Sequence, residues 1–456
     1  MIGVYAPGED VARIAFFGLF ALQHRGQESA GVSVSDGETL RLHTAMGLVA
    51  QAFREHDLER LTGHIAIGHT RYSTMGSNRL SNAQPILVKG PYGELALGHN
   101  GNVVNALPLR REMEEWGYQF SGTTDSEVIT HLLANAPGLD WGERMQYFMR
   151  RVQGAYSIVV MTRDALMAVR DPLGVRPLCV GKMNGGWIVA SESCALDHLG
   201  AQLIREVAPG EAIVIDDRGM RTLYRSVERQ RALCIFEYIY FARPDSIIGE
   251  KLVYSLRQAM GAELAREHPV EADVVIGVPD SATAAAVGYA QEAGIPYSDG
   301  LLKNRYVGRT FIEPDQRVRD LGVRLKFNPL PAVLSGKRVI VVDDSIVRGT
   351  TTPHVVSLVR RAGAKEVHLR VCAPPIRHPC HLGVDMATYR ELIAANRSIE
   401  EIRQIVGADS LGYLSVEGLL KAVGGGQGAH CTGCFTGIHP IPVQLEMSKL
   451  ALEVSP

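Results

Sequence analysis

The sequence predicts an α+β domain with antiparallel sheets, followed by an α/β domain with a parallel sheet. The first half contains many short β segments that are separated by turn residues and interrupted by few helical patterns. From about residue 230, strands and helices alternate in the order of βαβ units. This change of pattern places a boundary near residue 228, so we assign residues 1–228 to the first domain and residues 229–456 to the second.

The composition is typical of a globular protein, with 456 residues, 46% hydrophobic residues and a net charge of -2. The near-neutral balance does not favour nucleic acid or a membrane surface as a partner. No apolar run approaches the ~18 residues of a membrane span, and the start MIGVYAPGED has no secretory-signal pattern. Seven cysteines without such a signal favour free thiols or metal ligands in a reducing compartment, so we expect a cytoplasmic protein.

Apolar, β-branched runs between turn residues predict the strands, and apolar residues at helical spacing predict the helices. In the first half the predicted strands are 31–34, 63–70, 157–161, 186–190 and 211–215, and the predicted helices are 11–23 and 125–134. In the second half the predicted order is strand 273–277, helix 281–293, strand 339–342, helix 353–362 and strand 367–371. That order predicts parallel strands joined by crossover helices.

The segment from Arg338 to Thr351 carries the most informative pattern. A predicted buried strand is followed by Asp343 and Asp344, and a Gly/Thr turn then leads into a helix. A strand–loop–helix of this kind presents free backbone N–H groups and a helix N-terminus to a phosphate. The carboxylates could bind ribose hydroxyls or a magnesium ion carrying a pyrophosphate, and the alternative is an ordinary turn with two solvated aspartates. The absence of a G-x-x-x-x-G-K-[ST] motif disfavours an ATPase.

This segment resembles the phosphoribosyl-pyrophosphate (PRPP) motif of type I phosphoribosyltransferases, and residues 277–283 and 303–326 resemble two further segments of that family. The resemblance implies that the Ser281 hydroxyl joins both aspartates at one Mg²⁺, although Ser281 could also be a helix N-cap. It implies that residues 303–326 close over PRPP and contribute cations to the pyrophosphate. The residues implied in PRPP binding are Lys303, Arg305, Lys326, Asp343, Asp344, Ser345, Arg348, Gly349, Thr350 and Thr351.

The first half resembles the glutamine amidotransferase domain of the N-terminal-nucleophile class. The matching segments are residues 23–31, 68–74, 98–101 and 122–127. By this resemblance, Arg71 binds the α-carboxylate of glutamine and Asp125 binds its α-ammonium group. Asn100 and Gly101 form the oxyanion hole through a side-chain amide and a backbone N–H. Each segment alone is more typical of a strand edge or a turn, so the resemblance rests on their order and co-occurrence.

Together the motifs resemble the amidophosphoribosyltransferase family over residues 3–440. The resemblance implies that ammonia displaces pyrophosphate from C1 of PRPP to give 5-phosphoribosylamine, the first committed step of purine synthesis. It further implies purine nucleotides as feedback inhibitors, near Lys251 and residues 281–282, and a homodimer or homotetramer. The alternatives are a salvage phosphoribosyltransferase and a non-catalytic regulatory protein that binds PRPP and purine nucleotides. The amidotransferase-like half disfavours the first, and we find no DNA-binding domain that would support the second.

The family's nucleophile is a cysteine at the mature N-terminus, whose own α-amino group acts as the base. Residues 3–5 match the family pattern Cys-Gly-Val-Phe-Gly-Val-Tyr, so the nucleophile is expected two residues before Met1, whereas the first cysteine of this chain is Cys179. A misassigned start codon, a trimmed chain or a true loss of glutaminase activity would each explain the difference. We favour the first because Met1 falls where the family pattern has Val, and a GTG valine codon can be misread as an initiator. The retained glutamine-binding residues disfavour a long-standing loss, and we expect synthesis from ammonia alone if Met1 is the true N-terminus.

Cys431 and Cys434 form a C-x-x-C pair, which alone is ambiguous between zinc, an iron–sulfur cluster, a redox pair and no function. Cys234 and Cys380 match the family's other two ligand positions. Four cysteines suit either tetrahedral zinc or a [4Fe–4S] cluster, and their spacing does not separate the two. The resemblance implies a [4Fe–4S] cluster with a structural, oxygen-sensitive role. The remaining cysteines are expected to be small buried residues, namely Cys179, Cys194 and Cys372.

Overall fold

The computed structural model describes residues 1–227, 230–304, 326–386, 388–425, 428–442 and 450–453. The first half forms two antiparallel sheets and the second half forms a parallel sheet, which confirms both predicted fold classes. The predicted boundary at residues 228 and 229 falls outside the described residues, so it stays a prediction. None of the described helices is both long and apolar enough to cross a membrane.

The strands of the first half build a seven-stranded and a six-stranded sheet. In chain order they are β1 (Ile2–Tyr5), β2 (Ser29–Ser35), β3 (Leu40–Met46), β4 (Ile65–Arg71), β5 (Ile86–Gly90), β6 (Gly93–Val103), β7 (Gly154–Met161), β8 (Leu166–Arg170), β9 (Cys179–Met183), β10 (Gly186–Ala190), β11 (Gln202–Glu206), β12 (Glu211–Asp216) and β13 (Gly219–Arg225). The first sheet has the order β11-β9-β10-β1-β4-β2-β3, and the second has the order β13-β12-β8-β7-β6-β5.

Helices cover the outer faces of these two sheets, whose inner faces share one apolar core. The helices are α1 (Val11–Ala21), α2 (Val49–Ala52), α3 (Glu55–Glu59), α4 (Ala106–Glu115), α5 (Asp125–Ala134), α6 (Trp141–Arg151) and α7 (Ser193–His198). The two faces of the first sheet therefore pack against different layers. Val4 on β1 packs toward α1, whereas Ile67 on the neighbouring strand β4 packs between the two sheets. The result is four layers, in the order helices, sheet, sheet, helices.

The strands and helices of the second half alternate, as predicted. The strands are β14 (Leu233–Cys234), β15 (Ile247–Ile248), β16 (Lys251–Leu252), β17 (Val274–Gly277), β18 (Leu301–Lys303), β19 (Phe327–Pro329), β20 (Arg338–Asp343), β21 (Glu366–Val371), β22 (Ser410–Tyr413) and β23 (His430–Cys431). The helices are α8 (Val253–Glu267), α9 (Thr283–Ala293), α10 (Pro331–Leu334), α11 (Thr352–Arg361), α12 (Ile393–Asn396), α13 (Ile399–Val406), α14 (Val416–Val423) and α15 (Gly433–Thr436). The parallel sheet has the order β17-β20-β21-β22.

The predicted elements are found with small shifts at their ends. Helix α5 has the predicted bounds, because Thr124 caps it by accepting a hydrogen bond from the Glu127 N–H. Helix α1 ends at Ala21 instead of residue 23, since a short 3₁₀ turn follows it. Helix α9 begins two residues later than predicted, at Thr283. Ser281 is therefore not its N-cap.

Strands β17 and β20 are neighbours in parallel register, with Gly277 opposite Val342. The loops that follow them consequently leave the sheet at the same edge. These loops carry Ser281 and the pair Asp343 and Asp344, so the topology alone brings the predicted PRPP residues to one place.

Candidate active sites and cysteine site

Asp343 and Asp344 lie buried at the carboxyl end of β20, beside the loop that follows β17. The Ser281 hydroxyl donates a hydrogen bond to Asp344, and the Ser345 hydroxyl donates a second one at 2.6 Å. Burial and the charge of Asp344 raise the pKa of Asp343 well above its ordinary value. Burial also raises the pKa of Asp344, although both hydroxyls oppose the shift. The structure thus brings the three predicted Mg²⁺ ligands together around an under-compensated negative charge.

Residues 348–351 form the turn between this acidic pair and α11. Gly349 has φ +68°, and a Cβ there would lie 2.4 Å from Cδ1 of Ile393, so the turn requires glycine. Helix α11 begins at Thr352, one residue earlier than predicted, with Thr351 as its N-cap, and Thr350 precedes it in the turn. The N-terminus of α11 therefore follows directly on the turn, as phosphate binding requires.

Arg348 does not point freely toward this turn. Its Nε donates to Glu391 at 2.9 Å, its Nη2 also contacts that carboxylate, and Nη2 lies 3.5 Å from the carbonyl oxygen of Asp385. Arg348 is 47% exposed and Glu391 is 22% exposed, so the ion pair is reached by solvent, and a phosphate could compete with Glu391 for the guanidinium.

Lys303 and Lys326 stand at the two ends of the predicted closing loop. They terminate the antiparallel pair β18–β19, in which Lys303 lies opposite Phe327. Lys303 forms an ion pair with Asp280 at 2.6 Å. Lys326 lies close enough to the acidic pair for its charge to lower the pKa of both carboxyls. Arg305 lies outside the described residues.

Arg71 is buried at the end of β4 and faces the loop that follows. Its guanidinium donates to the carbonyl oxygens of Met75, at 3.1 Å, and Ser77, at 3.3 Å, and lies 3.5 Å from the Glu28 carboxylate. Burial lowers the pKa of Arg71, despite the opposing charges of Glu28 and Asp125. The buried cation is thus not fully compensated, which suits a site for a ligand carboxylate.

Asp125 is the first residue of α5, where a carboxylate is favoured by the helix dipole. Its Oδ2 accepts from the Val103 N–H and its Oδ1 from the Ser126 N–H, both at 2.9 Å. The bond to Val103 ties Asp125 to the end of β6, two residues from Gly101.

Asn100 and Gly101 lie near the end of β6. The Nδ2 of Asn100 is buried and has no hydrogen-bond partner among the described residues. Gly101 has φ +153°, and a Cβ there would lie 2.0 Å from the carbonyl oxygen of Ala155, so no other residue fits. A buried amide donor without a partner is costly unless a ligand satisfies it. The strand therefore offers a donor of the kind an oxyanion hole needs.

The expected nucleophile position can be located from the register of β1. In the β1–β4 pairing, Ile2 lies opposite Gly68. A residue two positions before Met1 in the same register would lie opposite Arg71. The α-amino group of Met1 donates to the Ser191 hydroxyl at 3.1 Å, and burial lowers its pKa to about 5.

The four predicted cluster ligands converge where the two halves of the chain meet. Cys234 and Cys431 lie opposite each other on the parallel strands β14 and β23. The carbonyl oxygen of Cys434 accepts from the backbone N–H of His378, at 3.0 Å, two residues before Cys380. Burial and the charges of the other three cysteines raise the pKa of the Cys434 thiol.

Four cysteines suit either a single tetrahedral ion or a [4Fe–4S] cluster. Across the described ranges, no three His, Cys, Asp or Glu side chains form a group that could hold one metal ion. The other three cysteines are buried, as predicted: Cys179, Cys194 and Cys372.

Several contacts of these sites were not predictable from local sequence patterns. Glu391, which pairs with Arg348, lies in a segment without a distinctive motif. Glu28, which pairs with Arg71, lies in the matching segment 23–31, but the resemblance assigned it no role. Glu453 near the C-terminus accepts a hydrogen bond from the Ser77 N–H at 2.6 Å in the loop that holds Arg71.

Comparison with known proteins agrees with this geometry. Residues 69–198 match a glutamine amidotransferase domain, and residues 255–408 match a phosphoribosyl transferase domain. An amidophosphoribosyltransferase of Synechococcus elongatus is 49% identical, over 99% of this chain and 94% of the relative. One of Archaeoglobus fulgidus is 50% identical, over 97% of this chain and 98% of the relative. The chain belongs to the amidophosphoribosyltransferase family.

Two solved structures extend the likeness to the whole fold. The first, described as the allosteric regulatory enzyme of purine biosynthesis, has a TM-score of 0.93 and 45% identity, over 100% of this chain and 99% of the other. The second is the glutamine PRPP amidotransferase of Bacillus subtilis complexed with ADP and GMP, with a TM-score of 0.92 and 46% identity, over 98% of both chains. As an amidophosphoribosyltransferase, the chain is an enzyme of purine biosynthesis that combines both domains. These findings do not favour a salvage phosphoribosyltransferase or a non-catalytic regulatory protein.

Proposed function

We propose that this enzyme joins ammonia, from glutamine or from solution, to C1 of PRPP and releases pyrophosphate. The observation that carries the proposal is the buried pair Asp343 and Asp344 at the carboxyl edge of the parallel sheet, beside Ser281 and the turn of Gly349. Ribose and pyrophosphate oxygens need such hard partners, and the helix that follows the turn accepts the 5-phosphate. The protein's part is then to position PRPP and to neutralise the leaving group.

We propose that one Mg²⁺ binds at Asp343, Asp344 and the Ser281 hydroxyl. Burial and the neighbouring charge of Asp344 raise the pKa of Asp343, and this supports the proposal because a divalent cation would compensate the buried negative charge. Bound there, the ion would neutralise charge on the pyrophosphate. Lys303 and Lys326 add cations at the edge of the same site, and we propose a like role for Arg305. We propose Ser345 and residues 348–351 as contacts of PRPP.

We propose that the first half binds glutamine, with its α-carboxylate on Arg71 and its α-ammonium group near Asp125. The uncompensated cation of Arg71 and the partnerless Nδ2 of Asn100 support these roles. Asn100 and the Gly101 N–H would stabilise the oxyanion formed on the carboxamide. Hydrolysis of glutamine further requires a cysteine at the position opposite Arg71, two residues before Met1. Without that cysteine, the enzyme would use free ammonia.

We propose that Cys234, Cys380, Cys431 and Cys434 hold a [4Fe–4S] cluster. Their convergence, with Cys234 opposite Cys431 and the segment before Cys380 hydrogen-bonded to Cys434, supports it. The cluster would cross-link the C-terminal segment to the junction of the two halves, and its role is structural because the reaction transfers no electron.

We further propose a cytoplasmic homodimer or homotetramer that is inhibited by purine nucleotides. All seven cysteines are free, which suits a reducing compartment. Phe17 and Phe20 are 57% and 56% exposed on α1, an arrangement typical of a subunit contact. The Bacillus subtilis relative was solved with ADP and GMP, which supports nucleotide binding.

One assay tests the main proposal. It measures the release of pyrophosphate from PRPP in the presence of Mg²⁺, with either ammonium or glutamine as the nitrogen donor. We expect release with ammonium, and loss of that release in Asp344→Asn. Asp273→Asn is the matched control, because Asp273 lies at the opposite end of the same sheet and pairs with Arg338. Release that needs neither donor, or that survives in Asp344→Asn, would contradict the proposal. An iron and sulfide assay tests the cluster separately, and stoichiometric zinc without iron would overturn it.

A further inference from the structure

The side chain of Arg176 lies buried between the cysteine site and the segment that follows Cys380. It is 3% exposed. Its Nη1 donates to the Glu237 carboxylate at 3.1 Å. Its Nη2 donates to the carbonyl oxygens of Leu382, at 3.3 Å, and Gly383. One guanidinium therefore holds two consecutive carbonyl groups of this segment in place.

The same guanidinium faces the cysteine site. Burial alone would lower the pKa of Arg176, yet the charges of Cys234, Glu237 and Cys380 outweigh burial and raise it. The Nε of Arg176 is buried and has no hydrogen-bond partner among the described residues. The neighbouring carbonyl group of Val175 accepts from the Cys234 N–H at 3.0 Å. The Cys380 sulfur in turn accepts from the Leu382 N–H at 3.4 Å, so the residue whose carbonyl group Arg176 holds also contacts a sulfur of the cysteine site.

On its other side, the segment contacts the oxyanion strand β6. Gly383 has φ +97°, and a Cβ there would lie 2.9 Å from Nη2 of Arg176 and 3.0 Å from the carbonyl carbon of Gly101. The next residue of the strand, Asn102, donates through Nδ2 to the carbonyl oxygen of His381 at 2.8 Å. Residues 381–383 are therefore packed directly between Arg176 and the glycine of the oxyanion hole.

We propose that Arg176 is a positioning residue that couples the four-cysteine site to the oxyanion hole. Its Nη2 holds the carbonyl groups of Leu382 and Gly383; the Leu382 N–H donates to the Cys380 sulfur, and Gly383 packs against Gly101. Displacement of the Cys380 sulfur would release Leu382 from this arrangement, and the contact of Gly383 with strand β6 would loosen. This inference rests on the proposed role of the four cysteines as cluster ligands. It predicts that loss or oxidation of the cluster changes the backbone dynamics of residues 98–103, at the proposed glutamine site.

The test measures hydrogen–deuterium exchange of the backbone N–H groups of residues 98–103. The proteins are wild type, Arg176→Lys, Cys380→Ser and the double variant, all purified without oxygen and assayed for iron and sulfide. Lysine keeps the charge but cannot hold Glu237 and two carbonyl groups at once. We expect about tenfold faster exchange in Arg176→Lys, from the loss of charge-assisted hydrogen bonds. We expect the double variant to exchange no faster than the faster single variant.

Arg205→Lys is the control, because Arg205 is a partly buried arginine of the same half that pairs with Glu211 and does not contact residues 381–383. It should exchange like wild type. Unchanged exchange in Arg176→Lys, or fully additive effects in the double variant, would overturn the coupling. If Cys380→Ser does not fold, oxidation of the cluster in wild type and in Arg176→Lys supplies the same comparison. If none of the proteins contains iron, the proposed cluster is refuted. The proposed coupling is still tested in that case, because the exchange rates of the cysteine and arginine variants can be compared without iron.

Discussion

Neutralising one carboxylate of the acidic pair should make the ligand-free protein more stable and less active. Asp343 is buried, and of its two oxygens Oδ1 accepts the Asp344 N–H at 2.9 Å, a bond that an asparagine oxygen can keep. Asp343→Asn therefore removes a buried charge and a like-charge repulsion, but no required hydrogen bond. At an effective dielectric constant near 20, such a repulsion is worth on the order of 2–3 kcal/mol. About 1 kcal/mol is lost because the retained bond is no longer charge-assisted.

The net gain of about 1–2 kcal/mol corresponds to roughly 2–8 °C in the melting temperature of a domain of ~150–250 residues. Asp344→Asn should gain less, because hydroxyl groups of Ser281 and Ser345 already stabilise its charge. The sign follows from linkage: an acid whose folded pKa is raised binds protons more readily in the folded state, so stability rises as the pH falls. The advantage of Asp343→Asn over wild type should therefore shrink toward acid pH.

Calorimetry of the protein without PRPP and Mg²⁺ measures the stability, and ammonium-dependent pyrophosphate release measures the activity. We expect activity to fall about 100-fold or more in Asp343→Asn, and the stabilisation of wild type by PRPP and Mg²⁺ to disappear. Asp273→Asn should have the opposite effects, with lower stability and unchanged activity. The hydrogen bonds from Arg338 hold the pKa of Asp273 below its usual range, and the substitution removes that favourable interaction. A variant at Asp343 that melts at a lower temperature than wild type would refute this reasoning.

Three further predictions concern the first half. A chain with Cys-Gly placed directly before Met1 and exposed as the N-terminus should gain glutamine-dependent pyrophosphate release, and Asn100→Ala should cut that rate about 100- to 1,000-fold relative to the ammonium reaction. Arg71→Lys should weaken glutamine binding in calorimetry by about 10- to 100-fold, because lysine cannot replace a bidentate contact; an unchanged Kd would place the carboxylate elsewhere. Although burial alone would raise it, Arg25 and His24 hold the pKa of Glu192 well below its usual range. This stabilisation is present above the unfolded pKa near 4.5 and is lost as the pH falls through the lower folded pKa, so the acid unfolding curve should flatten in Glu192→Gln.

Elements with strong local patterns could be predicted from the sequence. Helix α5 combines a threonine cap, acidic residues in its first turn and apolar spacing, and it has the predicted bounds. The meeting of Ser281 with Asp343 and Asp344 could also be predicted, because adjacent parallel strands end at one edge of a sheet. Local patterns and simple topology therefore sufficed to predict that the residues proposed to bind PRPP lie together.

Contacts between distant segments could not be predicted in this way. The packing of Gly383 against Gly101, and the hydrogen bond from Tyr72 to Asp385, join the two halves without any periodic pattern. The positive φ of Gly383 depends on tertiary packing, since nothing in its neighbourhood marks it as different from other glycines. The convergence of the four cysteines needed the family resemblance, because the spacing from Cys234 to Cys431 is compatible with many folds.

The junction between the halves is held by buried charges as well as by apolar contacts. Glu192 of the first half accepts from Arg25 and from the Ser246 hydroxyl of the second half, and Glu237 of the second half accepts from both Arg25 and Arg176 of the first. Desolvation makes such a network a poor source of net stability, but a wrong alignment would leave its charges unpaired at a cost of several kcal/mol. The network therefore favours one relative alignment of the two halves over others. The same alignment places the segment after Cys380 against strand β6, so the network that orients the halves also sets the geometry through which the cysteine site could act on the proposed glutamine site.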